Sequence, residues 1–258
     1  MLSAVLLFWL GQATDVDRAF AALSYDAARA QFPLRDHWIA SQFFHVYLKR
    51  LLIAVACAFI ACAVFDLLRP AAYWSRGTGW RLRTVAACAI AIPACVALLK
   101  RSSRLHCPWD IAQFGGSEPY FRLLDMIPAS APAGHCFPAG HASSGLWLAS
   151  IMIFWLPGKP ATAWRIGAGL FCVGMMMGLV QQLRGAHFLT HTLWTAWIAA
   201  TILYAAYGVL RLAERRALRR TGDDRCVPVL SATAGAGPLR THLEAAEQES
   251  VLATARRA

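Results

Sequence analysis

Lys100, His141, Arg184, His187 and His191 have side chains suited to chemistry on an anion, and each stands at or beside the end of a long apolar run. They fall in three short segments, Lys100 to Pro108, Pro138 to His141 and Arg184 to His191. In the first, Arg101 and Arg104 follow Lys100, and a further helical turn would put Lys100 and Arg104 on one face. In the second, Pro138-Ala139-Gly140-His141 leads into an apolar run. A Pro-x-Gly turn at a helix start directs backbone N–H groups and the helix dipole at one point, which suits an oxyanion. His141 would stand at that rim, able to exchange a proton near neutral pH. In the third, Arg184, His187 and His191 follow the spacing i, i+3, i+7, one stripe of a helix. Packing or headgroup contact can explain any one of these residues, but not readily all of them together.

The elements that must position them read as membrane helices. The 258 residues are 58% hydrophobic and 15% charged, and the apolar residues come in runs. A hydrocarbon core of about 30 Å needs about 20 apolar residues per helix. Six spans are expected: Met1 to Gly11, which is short, Leu51 to Leu68, Leu82 to Leu99, Ala142 to Leu156, Ile166 to Leu183 and Thr192 to Leu212. Extending the first through Leu23 would bring Asp15, Asp17 and Arg18 into lipid at high cost. A signal peptide is the rival reading of this end, but a basic n-region and a small-x-small cleavage site are lacking.

The net charge of +11 invites a nucleic-acid reading, which its distribution opposes. Arg69, Arg76, Arg81 and Arg83, then Lys159 and Arg165, then Arg211, Arg215, Arg216, Arg219 and Arg220 occupy alternate connections. By the positive-inside rule these lie in the cytoplasm, so all three chemical segments face outward. The expected architecture is all-α and polytopic, with a membrane domain over residues 1–212. A basic cytoplasmic tail, expected to be flexible, covers 213–258, with a possible helix from Leu239. The site would face the periplasm of a bacterial inner membrane.

Of the eight cysteines, Cys57, Cys62, Cys88, Cys95 and Cys172 read as small apolar residues inside spans, and Cys226 lies in the tail. Cys107 and Cys136 share the long outer loop, where a disulfide can persist. Closing that loop of roughly 30 residues would stabilise the fold by about 3–4 kcal/mol in the chain-entropy model.

With these residues in place, the chain resembles the membrane-bound phosphatidic acid phosphatase type 2 (PAP2) superfamily over about residues 47–212. The family pattern is K-x6-R-P, P-S-G-H and S-R-x5-H-x3-D. Lys100 and Pro108 fit the first motif, Pro138, Gly140 and His141 the second, and His187 the third. Cys107 stands in place of the first-motif Arg, Ala139 in place of Ser, Gln181 in place of the third-motif Arg, and His191 in place of Asp. Arg104 and Arg184 lie three residues from the two lost arginines and would deliver their guanidinium groups instead.

The resemblance implies a phosphatase that needs neither metal nor other cofactor. His187 would attack phosphorus and form a phosphohistidine. His191 would orient it, with Asp110 or Asp125 as auxiliary carboxylates, and His141 would protonate the leaving alkoxide. Lys100, Arg104, Arg184 and the backbone at Gly140 would hold the phosphoryl oxygens. The implied substrate is a phospholipid, polyprenyl or lipid A phosphate at the membrane surface, with transfer to another lipid as a variant outcome. Two rival readings remain. His187 and His191 with His135, Cys136 or His141 would suit a metal, although three nearby cations oppose it. The lost motif residues would also suit a catalytically weakened lipid-phosphate-binding protein.

Overall fold

A computed structural model describes residues 2–70 and 73–221. Every named element among them is helical, and the only β-pairings are two isolated bridges. Seven α-helices run in order: α1 Leu2–Ala13, α2 Val16–Ala22, α3 Lys49–Leu68, α4 Arg76–Ser102, α5 Gly140–Leu146, α6 Pro160–Leu183 and α7 Leu189–Thr221. A π-helical segment, Ile39–Leu48, runs directly into α3, and a 3-10 segment, Trp147–Trp155, continues α5. Residues up to Arg215 form one compact unit. The expected tail lies almost wholly outside the described residues.

Four helical segments are long and apolar enough to cross a membrane: Ile39–Leu68, Arg76–Ser102, Pro160–Leu183 and Leu189–Ala217. Apolar side chains face outward along them, among them Ile53, Val64, Ile90, Leu98, Leu179 and Tyr204. A helix apolar on its outer face as well as its inner one needs lipid there, not water. Inside, Val85, Ile92, Leu146, Trp147, Met177 and Ala199 form the main core, binding α4, α5, the 3-10 segment, α6 and α7.

The expected fourth span takes an unusual form. Residues 140–155 would be too few for a pure α-helix, but a 3-10 helix rises about 2.0 Å per residue, so seven α and nine 3-10 residues reach about 28 Å. Its two ends lie beside opposite ends of α4. Gly140 is beside Lys100 at one end of α4, while the Phe154 carbonyl accepts from Arg81 Nη1 (3.2 Å) near the other. Arg81 also pairs with Glu214 of α7 at 3.5 Å. Close approach of α5 to α6 requires glycine on both sides: a Cβ on Gly145 would lie 2.8 Å from Gly174 Cα.

The expectation of six spans needs correction at the N-terminus. Twelve residues of α1 reach only about 18 Å, well short of a hydrocarbon core. Instead α1 lies along the first half of α7, with Ser3 accepting from Trp197 Nε1 at 3.2 Å and Gly11 against Thr190.

Candidate active site

The three segments singled out in the sequence are tied to one another by backbone. Cys136 N–H donates to the Leu105 carbonyl (2.9 Å), Trp109 N–H to Gly185 (3.0 Å), and Ala139 N–H to His191 (3.2 Å). Cys107 and Cys136 are joined by a disulfide, a covalent link between the first two segments. The C-terminal end of α4, the N-terminal end of α5 and the loop from α6 to α7 are thereby held at one end of the bundle.

The loop Arg184–Phe188 is fixed by a position that requires glycine. Gly185 has φ +75°, and a Cβ there would lie 2.4 Å from the Phe32 ring. Phe32 belongs to an outer aromatic cluster with Tyr25, Ile111, Phe114 and Phe188, which presses the N-terminal segment onto this loop. The start of α7 is held by Asp17. That carboxylate is 4% exposed and accepts from the Thr190 backbone N–H (2.8 Å) and hydroxyl (2.5 Å). A carboxylate at a helix N-terminus satisfies an orphan donor and complements the dipole. Burial nevertheless raises the Asp17 pKa, against those two hydrogen bonds.

Arg184 is buried and fully directed. Its Nε donates to the Arg35 carbonyl (2.9 Å), and its Nη1 to Gln181 Oε1 (2.9 Å) and His45 Nδ1 (3.1 Å). Gln181, at the motif position where the family carries Arg, thus orients the arginine one turn further on. His45 Nδ1 also lies 3.3 Å from Gln181 Oε1, which can only accept, so the two contacts call for opposite tautomers; the guanidinium is the nearer and can only donate, which assigns the ring proton to Nε2. The His45 ring stacks on His141 with centroids 4.0 Å apart and planes at 28°. His141 Nε2 is buried with no hydrogen-bond partner among the described residues. Lys100 Nζ reaches within 4.0 Å of where a Cβ on Gly140 would stand. Lys49 lies within electrostatic range of His45, Lys100 and His141. Neither Lys49, Lys100 nor Arg184 forms an ion pair with a carboxylate among the described residues.

His187 is buried, with Nδ1 3.5 Å from Cys136 Sγ. Its pKa is depressed well below the usual histidine value, first by burial, then by the charge of Lys100 and the neighbouring His191 and His141, with the Cys136 backbone opposing. The ring is therefore neutral at neutral pH, the form that can act as a nucleophile.

Three sequence expectations come out differently. Arg104 does not join the cluster: its Nη2 donates to the carbonyls of Pro128 (2.8 Å) and Ala131 (2.6 Å), because the chain leaves the helical path after Ser102. No hydrogen bond links His191 to His187. Their ring centroids are 6.1 Å apart, His191 packs against Phe137 and Phe188, and its Nδ1 is buried without a partner among the described residues. The auxiliary carboxylates serve the loops, Asp110 accepting from Cys107 N–H and Asp125 from Arg122 N–H and Gln12 Nε2. Cys107, Cys136 and His187 place ligand atoms within 4.8 Å of one another, but the disulfide engages both sulfurs, so no thiolate is available to a metal. His135 is turned to the Lys100 carbonyl.

Two functional positions escaped the sequence reading. His45 carries no motif, and its one signal is a lysine four residues on, just before an apolar run. Asp17 looked like a charge to be kept out of lipid, not a cap.

The model of the PAP2 superfamily matches residues 81–215, a little over half of the chain. The protein belongs to the PAP2 superfamily, a group that generally comprises phosphatases, and its apolar helices suit a multi-pass membrane protein of phosphatase type. Searches of curated proteins and of solved structures returned no match.

Proposed function

We propose that this protein is a membrane lipid phosphatase that hydrolyses a phosphomonoester or pyrophosphate through a phosphohistidine on His187. The observation that carries this reading is the convergence of Lys100, Arg184, His141 and a neutral, buried His187 at one end of the bundle, with neither cation in an ion pair with a carboxylate among the described residues. Positive charge without a directly paired carboxylate, beside a nucleophile, is the arrangement a phosphoryl group stabilises; Asp36 acts on Arg184 only at longer range.

In the first step a His187 ring nitrogen attacks phosphorus, and the bond from phosphorus to the lipid oxygen breaks. His141, through its unpartnered Nε2, gives that oxygen its proton. In the second step His141 takes a proton from water, the water oxygen attacks phosphorus, the bond from phosphorus to the His187 nitrogen breaks, and free phosphate and the neutral His187 ring result. Lys100 and Arg184 hold the phosphoryl oxygens in both steps, with Lys49 adding to the positive field. The backbone of Cys136, which interacts with the His187 ring, takes over the orienting part that the family gives to Asp and the sequence suggested for His191. A backbone carbonyl orients without adding a charge, so the imidazolium-like phosphohistidine relies on the site for less stabilisation than a carboxylate would provide.

The substrate class is a phospholipid, polyprenyl or lipid A phosphate, reached at the outer boundary of a bacterial inner membrane. The alternating basic connections support that orientation. Purified His187→Ala should release phosphate from lipid phosphates at least ~10²-fold more slowly than wild type, as loss of a covalent nucleophile demands. Activity within a few-fold of wild type would remove His187 from the mechanism. Wild type that releases no phosphate from lipid phosphates would instead support phosphate binding without turnover, the reading the altered motifs also allow.

A further inference from the structure

The π-helical segment before α3 belongs to no family motif, yet it delivers His45 into the site. Two contacts define this residue. One is the 3.1 Å contact of its Nδ1 with Arg184 Nη1, a hydrogen bond that Nδ1 accepts with the ring proton on Nε2. The other is the stack on His141, 4.0 Å between centroids. Gln181 shares the same guanidinium nitrogen, and the Arg35 carbonyl takes Nε, so two of the three groups that set the Arg184 direction, His45 and Arg35, come from outside the family's motifs, and the third replaces a motif residue. His45 is the one among them that also touches the acid.

We propose that His45 is a positioning residue that sets Arg184 toward the phosphoryl oxygens and holds the His141 ring at the leaving oxygen. The claim rests on the phosphatase reading of the site. It explains how a chain lacking the third-motif Arg can still aim a guanidinium from three residues further along. A flexible arginine holds its fork only where acceptors fix it, and a hydrogen bond to a charged group is among the stronger ones. Offset stacking restricts the second ring to one plane without consuming its nitrogens.

The two contacts are separable by substitution. His45→Gln keeps an acceptor for Arg184 and loses the stack. His45→Phe keeps the stack and loses the acceptor. Each detergent-purified, monodisperse variant is titrated with orthovanadate by calorimetry, and KM and kcat are measured on a lipid phosphate that the wild type hydrolyses. His45→Phe should weaken vanadate binding and raise KM by about 10-fold, the loss of one charge-assisted hydrogen bond. His45→Gln should keep both within about three-fold and lower kcat instead. A His45→Phe affinity within two-fold of wild type overturns the proposal, as does equal loss in both variants, which would mark a merely structural role. Wild-type vanadate binding without phosphate release from any lipid would sink the phosphatase reading while leaving the positioning claim to the titrations. Wild-type turnover with unaffected variants would do the reverse. Wild type that neither binds vanadate nor turns over overturns both.

Discussion

At the scale of single residues, the site depends on keeping one imidazole neutral among cations. Burial and the charge of Lys100 both act on His187 in the same direction, and both disfavour the imidazolium. The sign for activity follows. A depressed pKa keeps the neutral, nucleophilic ring populated to lower pH, and activity through this group is lost only as pH falls through the lowered value. The acid limb of kcat/KM is therefore expected below about pH 6.5, the ordinary histidine value. A pH–rate profile in detergent checks it, and replacing Lys100 by Met should move that limb upward. The chemical types at this scale were readable from sequence: Lys100, His141 and His187 stand at motif spacing, and the structure brings them to one end of the bundle. Arg184 was readable as a cation, but its acceptors were not, because His45, Arg35 and Gln181 meet only in three dimensions. Arg104 misled for the opposite reason. Its expected direction assumed one more helical turn, and Ser103 adopts an extended conformation.

At the scale of elements, the position of the loop that carries His187 depends on what lies against it from the N-terminal segment. Asp17 caps α7, Phe32 covers Gly185, and the Arg35 carbonyl takes Arg184. Asp17→Ala would leave the Thr190 N–H without its acceptor at a buried helix start. The expected loss is about 1–2 kcal/mol of stability, the ordinary worth of an N-cap, read as a lowered melting temperature in detergent. Activity should fall as well, since α7 carries His191 and abuts His187. Long apolar runs made four of the helical spans legible. The 3-10 continuation of α5 was not legible, because the short run from Ala142 to Leu156 gives no sign of how far it is stretched. The length of α1 was legible, and its place alongside α7 was not, since Ser3–Trp197 is a tertiary contact.

At the scale of the molecule, an apolar bundle presents one chemically equipped end, and the loops there are held by a small apolar cluster of their own and by a disulfide. The Cys107–Cys136 disulfide closes a separation of 29 residues beside His187. Its removal in the double variant Cys107→Ser, Cys136→Ser should cost about 3–4 kcal/mol in the chain-entropy account. The same change should depress turnover more than it depresses helix content, because the bond joins two site segments and lies outside the bundle core. Circular dichroism and phosphate release, measured on one preparation, separate these effects. The pairing was open to inference from sequence by expected compartment alone: two cysteines share one long loop expected on the outer side, and the others fall in apolar runs or the tail.

The central claim is that phosphate passes through His187, and trapping the intermediate tests it most directly. The purified protein is quenched in base within the first turnovers on a lipid phosphate carrying a labelled terminal phosphoryl group. The account predicts a base-stable, acid-labile label on a peptide containing His187, absent from His187→Ala and diminished in Arg184→Ala. Labelled phosphate released at wild-type rate by His187→Ala, or a label found on any other residue, would contradict it.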